Sequence, residues 1–159
     1  MNEGSKRATI SPALRRHAEA IVDNNAAMAL ETENKVLDRE RLTRGVMAVL
    51  ADPAKGFYLV AEDDAGAVVG QLMVTFEWSD WRDGTFWWVQ SVYVVPAARR
   101  SGVYRALYAR VLSLAAADGG VCGVRLYVER ENERAMATYR ALGMQRAQYD
   151  MFEVDLPRT

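Results

Sequence analysis

The stretch "VPAARRSGVYRAL", residues 95–107, begins as the end of an apolar strand and finishes as the start of a helix. Between the two elements stand Arg99 and Arg100, followed by Ser101 and Gly102. After the helix, the apolar run "VCGVRLYVE" predicts another buried strand. A helix of this length between two strands is long enough for a parallel crossover connection. The stretch therefore predicts a parallel pair of strands within a mixed α/β fold.

The periodicity of apolar residues predicts the other elements on either side of this stretch. Upstream, three strand-like runs separated by the turn sequences "DDAG" and "WSDWRDG" predict antiparallel hairpins. Before them lie two helical segments, the first starting after Pro12 and the second ending before Pro53. Downstream, a helix capped by Asn132 ends at Gly143, and the run "AQYDMFEVDL" predicts a last strand. We expect a mixed α/β (α+β) domain with two N-terminal helices, antiparallel strands and then a parallel crossover.

Length and composition are those of one compact domain. The chain has 159 residues, 50% hydrophobic content and a net charge of −1 at pH 7, so we expect a flexible tail over residues 1–8 and a single domain over residues 9–159. The near-neutral charge argues against a nucleic-acid partner, and a lone cysteine and a lone histidine, Cys122 and His17, argue against a metal site. No run resembles a signal peptide or a membrane span, so we expect a cytoplasmic protein without a membrane partner.

The junction itself has two interpretations that its residues leave open. In one, Ser101 caps the following helix, Gly102 relaxes the turn, and the arginines are solvated. In the other, the loop binds an anion, because a helix N-terminus offers unpaired amides and Arg99, Arg100 and Arg105 add positive charge. Neither the P-loop pattern nor Gly-x-Gly-x-x-Gly is present, so the motifs of nucleotide hydrolysis and dinucleotide binding are missing.

The same residues resemble the motif of a known superfamily. The run "RRSGVY", residues 99–104, is similar to the Gln/Arg-x-x-Gly-x-Gly/Ala loop of the GNAT acetyl-CoA-dependent N-acetyltransferases, with Tyr104 at the place usually taken by Gly or Ala. Further on, Asn132, Tyr139 and the "LGM" of residues 142–144 resemble the second element of that superfamily. The resemblance is close beyond the early helices and matches those helices in order only.

This resemblance implies a GNAT-like fold and acetyl-CoA as the cofactor, with no metal. It implies that the strand before the loop splays from the strand "VRLYV", so that the pantetheine arm bonds to the main chain of Val92 and Val94. It also implies that Asn132 touches the cofactor and that the loop holds the coenzyme A pyrophosphate. The loop residues implied in this contact are Arg99, Arg100, Ser101, Gly102, Val103, Tyr104 and Arg105.

Acetyl transfer to an amine poses two proton-transfer problems, because the alkylammonium must lose a proton and the departing thiolate should gain one. Tyr139 is the proton donor that the resemblance implies; the alternative is an ordinary half-buried tyrosine on a helix. Glu77, at the end of a strand, is our first candidate for the base, with Glu129 and Ser91 in reserve. We expect the transfer to be direct, within a ternary complex.

Three further carboxylates suggest the nature of the acceptor. Glu31 and Glu33, between the first two predicted helices, and Asp80, in a turn, would attract a small cationic amine, although each is otherwise a solvated surface charge. The favoured function is acetyl transfer from acetyl-CoA to a primary amine of such a small molecule. The alternatives are a different acyl group or acceptor, and a GNAT-like domain that senses acyl-CoA without turnover. A homodimer through the exposed hairpin is compatible with either.

Overall fold

A computed structural model describes residues 8–157 of the chain. These residues form two compact units that meet in sequence between Tyr127 and Val128. The elements, in chain order, are β1 (Thr9–Pro12), α1 (Ala18–Glu33), α2 (Arg39–Ala51), β2 (Phe57–Glu62), β3 (Val68–Ser79), β4 (Gly84–Val94), α3 (Val103–Asp118), β5 (Val121–Leu126) and α4 (Glu133–Ala141). Short 3-10 turns, Arg15–His17 and Pro96–Ala98, precede α1 and α3. Only α4 belongs to the second unit.

The first unit contains a five-stranded sheet with the strands in sequence order, β1-β2-β3-β4-β5. The first four strands pair antiparallel, and β4 pairs with β5 in parallel. Helix α3 makes the crossover between the two parallel strands, as the apolar pattern around the Arg-Arg-Ser-Gly junction predicts. The expected mixed α/β fold with two N-terminal helices and one parallel crossover is therefore confirmed.

Two apolar cores cover the two faces of this sheet. On one face, the apolar side of α3, including Leu107 and Val111, packs against Leu59, Leu72 and Val74. On the other face, α1 and α2 pack against β2. The buried residues of this second core are Ile21, Val22, Val46, Tyr58 and Val60. Strands β2 and β3 place residues in both cores, which holds them in one register.

Gly70 on β3 allows α3 to lie very close to the sheet. A Cβ atom at this position would lie 2.6 Å from Cγ1 of Val103, the first residue of α3, and 3.5 Å from Cδ1 of Leu107. The first of these distances is too short for two carbon atoms that are not bonded. Glycine at position 70 is therefore required by the packing of the N-terminal turn of α3.

The start of the chain differs from the expectation, because the residues around Pro12 form a strand and not the beginning of a helix. Strand β1 pairs antiparallel with β2, with Pro12 opposite Leu59, and the Ala13 amide donates to the Tyr58 carbonyl at 2.8 Å. Proline is acceptable there because β1 is an edge strand, where a missing N–H costs no ladder bond. Helix α1 begins only at Ala18.

The prediction of a last strand over residues 147–156 is also wrong. This segment has no regular secondary structure. Its apolar side chains are exposed: Tyr149, Met151, Phe152, Val154 and Leu156. Alternating apolar residues favour a strand, but a strand also needs a neighbour, and no described residue pairs with this segment.

The remaining expectations about organisation concern the termini and the domain count. The expected tail, residues 1–8, lies outside the described residues except for Ala8, which packs against the α3 core. A single domain over residues 9–159 stays a prediction. Within residues 8–157, no helix is long and apolar enough to cross a membrane.

Candidate cofactor and acceptor site

Strands β4 and β5 separate before β4 ends. Their parallel pairing stops at Val89 and Leu126, whereas β4 continues from Gln90 to Val94. Among residues 8–127, the continuation of β4 pairs only with β3 on its other side. Within the first unit, the separation therefore leaves one edge of β4, directly before the Arg-Arg-Ser-Gly loop, without a strand partner; we call the place beside this unpaired edge the gap.

A β-bulge lies where the gap begins. Gln71 pairs with Tyr93, but Met73 pairs with Gln90, so that two residues of β4 oppose one residue of β3. One of the two, Ser91, adopts a left-handed conformation with φ 50°. A bulge of this kind bends the strand and redirects its peptide groups. The sequence did not reveal it, because glycine or asparagine is the usual sign of a left-handed residue and serine is not.

The backbone after the bulge presents polar groups to the gap. The Val95 amide donates to the Val69 carbonyl at 3.0 Å, and thus points toward β3. Since successive peptide groups of a strand alternate in direction, the N–H and C=O of Val94, and of Val92 two residues earlier, point toward the gap. The Val94 carbonyl accepts a bond from Arg99 Nε at 2.9 Å on that side. Val92 and Val94 are the two residues whose main chain the resemblance assigns to the pantetheine arm.

The loop after β4 forms a turn with free amides at the start of α3. Arg100 and Gly102 are both left-handed, with φ 64° and 83°. Gly102 is the N-cap of α3 and no side chain caps the helix, because the Ser101 hydroxyl donates to the Ala98 carbonyl at 2.6 Å instead. The amides of residues 101–103 donate to no described residue. The capping interpretation of Ser101 is therefore wrong, and the loop is suited to bind an anion.

Glu31 and Arg99 form an ion pair that joins α1 to this loop. Arg99 Nη2 lies 2.7 Å from Glu31 Oε2, and the Tyr93 hydroxyl donates to Glu31 Oε1 at 2.7 Å. Two hydrogen bonds hold the pKa of Glu31 below its ordinary value: the larger effect comes from the Tyr93 hydroxyl and the smaller from the Arg99 guanidinium. The pKa of Tyr93 is raised, mainly by burial and to a lesser degree by its hydrogen bond to Glu31. Glu31 lies in the last turn of α1, and not between the helices as expected.

Folding stability should depend on Glu31 in a pH-dependent manner. Because the pKa of Glu31 is lower in the folded protein than in the unfolded chain, its charge stabilises the fold above the unfolded pKa, and this contribution is lost as the pH falls through the folded pKa. Glu31→Gln should therefore lower the melting temperature modestly at pH 7, and the difference from the wild type should shrink toward pH 3. Thermal unfolding at a series of pH values measures this. Glu33→Gln, also an exposed carboxylate of α1, is the control; an equal drop in both variants would contradict the prediction.

The other arginines of the loop are exposed to solvent. Arg100 and Arg105 both lie at the surface of the loop and of the first turn of α3. Tyr104, at the position where the superfamily usually has Gly or Ala, is partly buried, and its ring stacks on Tyr108 with 6.2 Å between the centroids. The ring of Tyr104 thus packs along α3, one helical turn before Tyr108.

The carboxylates predicted to receive the acceptor are not gathered in one place. Glu77 Oε1 lies 2.6 Å from Arg125 Nη1, and Arg125 stacks over Phe86 at 3.5 Å. Asp80 is exposed in the turn between β3 and β4, where its Oδ1 accepts the Trp81 amide at 2.9 Å. Glu77 pairs with Phe86 across the β3–β4 ladder. Phe86 lies four residues before Gln90, and four residues of a strand span about 13 Å. Glu33 is exposed at the end of α1.

The second unit holds the remaining two predicted residues on α4. The Asn132 side chain accepts the Ala135 amide at 3.0 Å and so caps the helix, as its position in the sequence predicts. Gly143, left-handed with φ 86°, follows the end of the helix. Tyr139 lies in the last turn of α4 and is partly buried. Within residues 8–157, no group of three His, Cys, Asp or Glu side chains is placed to hold a metal ion.

Two known proteins are similar to this chain in sequence. A mycothiol acetyltransferase of Mycolicibacterium gilvum (strain PYR-GCK) is 35% identical over 130 residues, which cover 79% of this chain and 41% of that protein. A mycothiol acetyltransferase of Kocuria rhizophila is 37% identical over 106 residues, covering 63% of this chain and 33% of that protein. This chain thus spans less than half of the length of both relatives.

A solved structure is similar over nearly its whole length. The crystal structure of a possible acetyltransferase from Clostridium difficile 630 has 41% sequence identity and a TM-score of 0.88, and the match covers 96% of this chain and 99% of that one. The profile of the acetyltransferase (GNAT) family matches residues 18–144, which include α1, the Arg-Arg-Ser-Gly loop and α4. The chain belongs to the acetyltransferase (GNAT) family.

Proposed function

We propose that this chain transfers the acetyl group of acetyl-CoA to a primary amine of a small cationic molecule. One observation carries the proposal: the gap between β4 and β5 opens directly onto a loop whose amides at residues 101–103 are free among the described residues. Such a gap can accept an extended arm along the strand edge, and such a loop can bind the attached pyrophosphate.

The residues around the gap fit the two parts of coenzyme A. The main chain of Val92 and Val94 would bond to the pantetheine arm, and the amides of Ser101, Gly102 and Val103 would hold the pyrophosphate. The exposed guanidinium groups of the loop would add positive charge beside the pyrophosphate. The bound coenzyme supplies the activated acetyl group as a thioester. A backbone N–H beside the gap would stabilise the negative charge that develops on its carbonyl oxygen.

Arg99 has a different part in this proposal from the one that its position in the motif suggests. Two of its nitrogen atoms already bond to the Val94 carbonyl and to Glu31. Arg99 would therefore shape the loop, while Arg100 and Arg105 would meet the phosphates. Asn132 caps α4 through its side-chain oxygen, which leaves its side-chain N–H groups for the cofactor contact that the resemblance implies.

Proton transfer is assigned to two side chains. The amine loses one proton, its nitrogen forms a bond to the acetyl carbon, and the carbon–sulfur bond breaks. Tyr139 would give its proton to the departing sulfur. Glu77 would take the proton of the amine, and its distance from the start of the gap means that it would act through ordered water. Glu33 and Asp80, both exposed, would attract the cationic acceptor.

The base assignment has a direct test. Glu77→Gln should lower kcat/KM for the amine by about 10²-fold across the profile against pH, a common contribution of a general base. Acetylation rates at a series of pH values measure this. Arg125→Gln is the matched control, because it removes the partner of Glu77 but keeps the carboxylate. An unchanged profile in Glu77→Gln would transfer the role to Glu129 or to water.

Calorimetric titration with acetyl-CoA tests the function as a whole. We expect micromolar binding, much weaker binding of ATP, and turnover with at least one amine of a panel. The panel should include the acceptor for which the mycothiol acetyltransferases are named. The alternative function, a sensor of acyl-CoA, is favoured by Tyr104 in place of Gly or Ala, and would give binding without turnover. No binding of acetyl-CoA would refute both functions.

A further inference from the structure

Gln71 on β3 is a polar residue in the middle of the sheet with no exposure to solvent. Its side chain lies on the face of the sheet that α1 covers, since Gln71 is paired with Tyr93, whose hydroxyl bonds to α1. A buried amide is costly unless each of its polar atoms is hydrogen-bonded, whereas an apolar residue at this place would pack without that requirement. Packing alone therefore does not explain why position 71 is a glutamine.

The amide group of Gln71 is bonded on three sides. Gln71 Oε1 accepts from Asn24 Nδ2 at 3.1 Å, and Gln71 Nε2 donates to Asn25 Oδ1 at 2.9 Å. The same nitrogen lies 3.4 Å from the carbonyl oxygen of Ser91. The two asparagines, both buried on α1, thus orient the glutamine, and the glutamine bonds to the bulge of β4.

A hydrogen bond to Ser91 stabilises an unfavourable part of the backbone. It is left-handed, which is unfavourable for a residue with a side chain, and it lies inside a bulge, where the ladder to β3 is interrupted. Gln71 Nε2, 3.4 Å from the Ser91 carbonyl oxygen, gives this carbonyl a partner from a side chain. The next residues of β4 are those whose peptide groups face the gap.

We propose that Gln71 is a positioning residue for the pantetheine arm of coenzyme A, because it holds the Ser91 carbonyl and thereby the direction of the Val92 and Val94 peptide groups. This inference rests on the proposed function. Gln71 does not touch the cofactor itself: its side chain lies on the α1 face, whereas the Val92 and Val94 side chains pack on the α3 face and their peptide groups point into the gap between the strands.

A pair of ligands separates this role from a merely structural one. Coenzyme A and 3′-phosphoadenosine 5′-diphosphate share the nucleotide and the pyrophosphate, but only the first has the pantetheine arm. Gln71→Leu should weaken coenzyme A binding about tenfold, the scale of one lost buried hydrogen bond. It should change binding of the shorter ligand by less than about twofold, because the loop at residues 99–105 keeps its contacts. Calorimetric titration of both ligands measures the two effects.

Two further variants complete the test. Val46→Ala is a substitution of a buried core residue on α2, outside the β3–β4 ladder, and should leave the ratio of the two affinities as in the wild type even if the protein is less stable. Asn25→Ala removes the acceptor that orients Gln71, and should shift the ratio in the same direction by a smaller factor. It also serves as the test if Gln71→Leu does not fold.

The outcomes distinguish this inference from the proposed function. If the wild-type protein does not bind coenzyme A, the proposed function fails, and the positioning role with it. If the wild type binds, but Gln71→Leu and Asn25→Ala keep its affinity ratio, only the positioning role is overturned. An equal loss for both ligands would also overturn it, because that result indicates a general loss of structure.

Discussion

Tyr139→Phe should lower the turnover number of acetyl transfer by about 10²- to 10⁴-fold, the usual contribution of a positioned general acid. The phenolic hydroxyl is the only group removed, so the dissociation constant of acetyl-CoA should change less than about threefold. The reason is that a departing alkyl thiolate is basic and leaves slowly when no proton is supplied. In the proposed function, affinity depends instead on contacts along β4 and the loop, which keep their atoms in this variant.

The measurement combines single-turnover rates with calorimetric titration of acetyl-CoA for the same preparation. Tyr149→Phe is a suitable control, since Tyr149 lies in the same unit and is 81% exposed; its turnover should equal that of the wild type. Losses of equal size in turnover and in affinity would remove Tyr139 from the role of acid and make it a structural residue of α4.

Arg100→Glu should weaken acetyl-CoA binding by about 30-fold or more, the scale expected when one member of a close charge pair is reversed. Arg100 is exposed and left-handed within the loop, next to the free amides of residues 101–103. A carboxylate at this position would repel the pyrophosphate. The wild-type affinity should fall as salt is added, because salt screens exposed charges, and the affinity of the variant should depend less on salt.

Arg110→Glu is the matched control for this charge reversal. Arg110 is also an exposed arginine of α3, but it lies about two helical turns from the loop. Its reversal should change the affinity for acetyl-CoA only slightly. If Arg100→Glu and Arg110→Glu weaken binding equally, the effect comes from the net charge of the protein. If neither does, the loop does not bind the pyrophosphate through Arg100.

Local patterns in the sequence predicted the part of the site that is built from neighbouring residues. The strand before Pro96, the glycine at position 102 and the apolar stripe of α3 all lie within one stretch, and together they predict the crossover and the loop. The Asn132 cap of α4 was likewise predicted from three or four adjacent residues. Each of these features depends on contacts close in sequence, which is why a pattern can reveal them.

Features that depend on distant partners could not be predicted in this way. The ion pair of Arg99 joins it to Glu31, 68 positions away, and is the observation on which we propose that Arg99 shapes the loop. The bond from Gln71 to Ser91 depends on a bulge that no residue type marks. The strand at Pro12 and the segment of residues 147–156 were misassigned for the same reason, since the presence or absence of a pairing neighbour decided each of them.

In the proposed function, the affinity for acetyl-CoA depends on Gly70, a residue of β3 that supports α3 from below. The first residue of α3 packs on Gly70, so the loop that ends at Gly102 is followed directly by a closely packed contact between helix and sheet. A larger residue at position 70 would push the start of α3 outward and move every amide of the loop with it. In the proposed function, random mutagenesis for altered cofactor affinity should therefore find variants in β3 as well as in the loop.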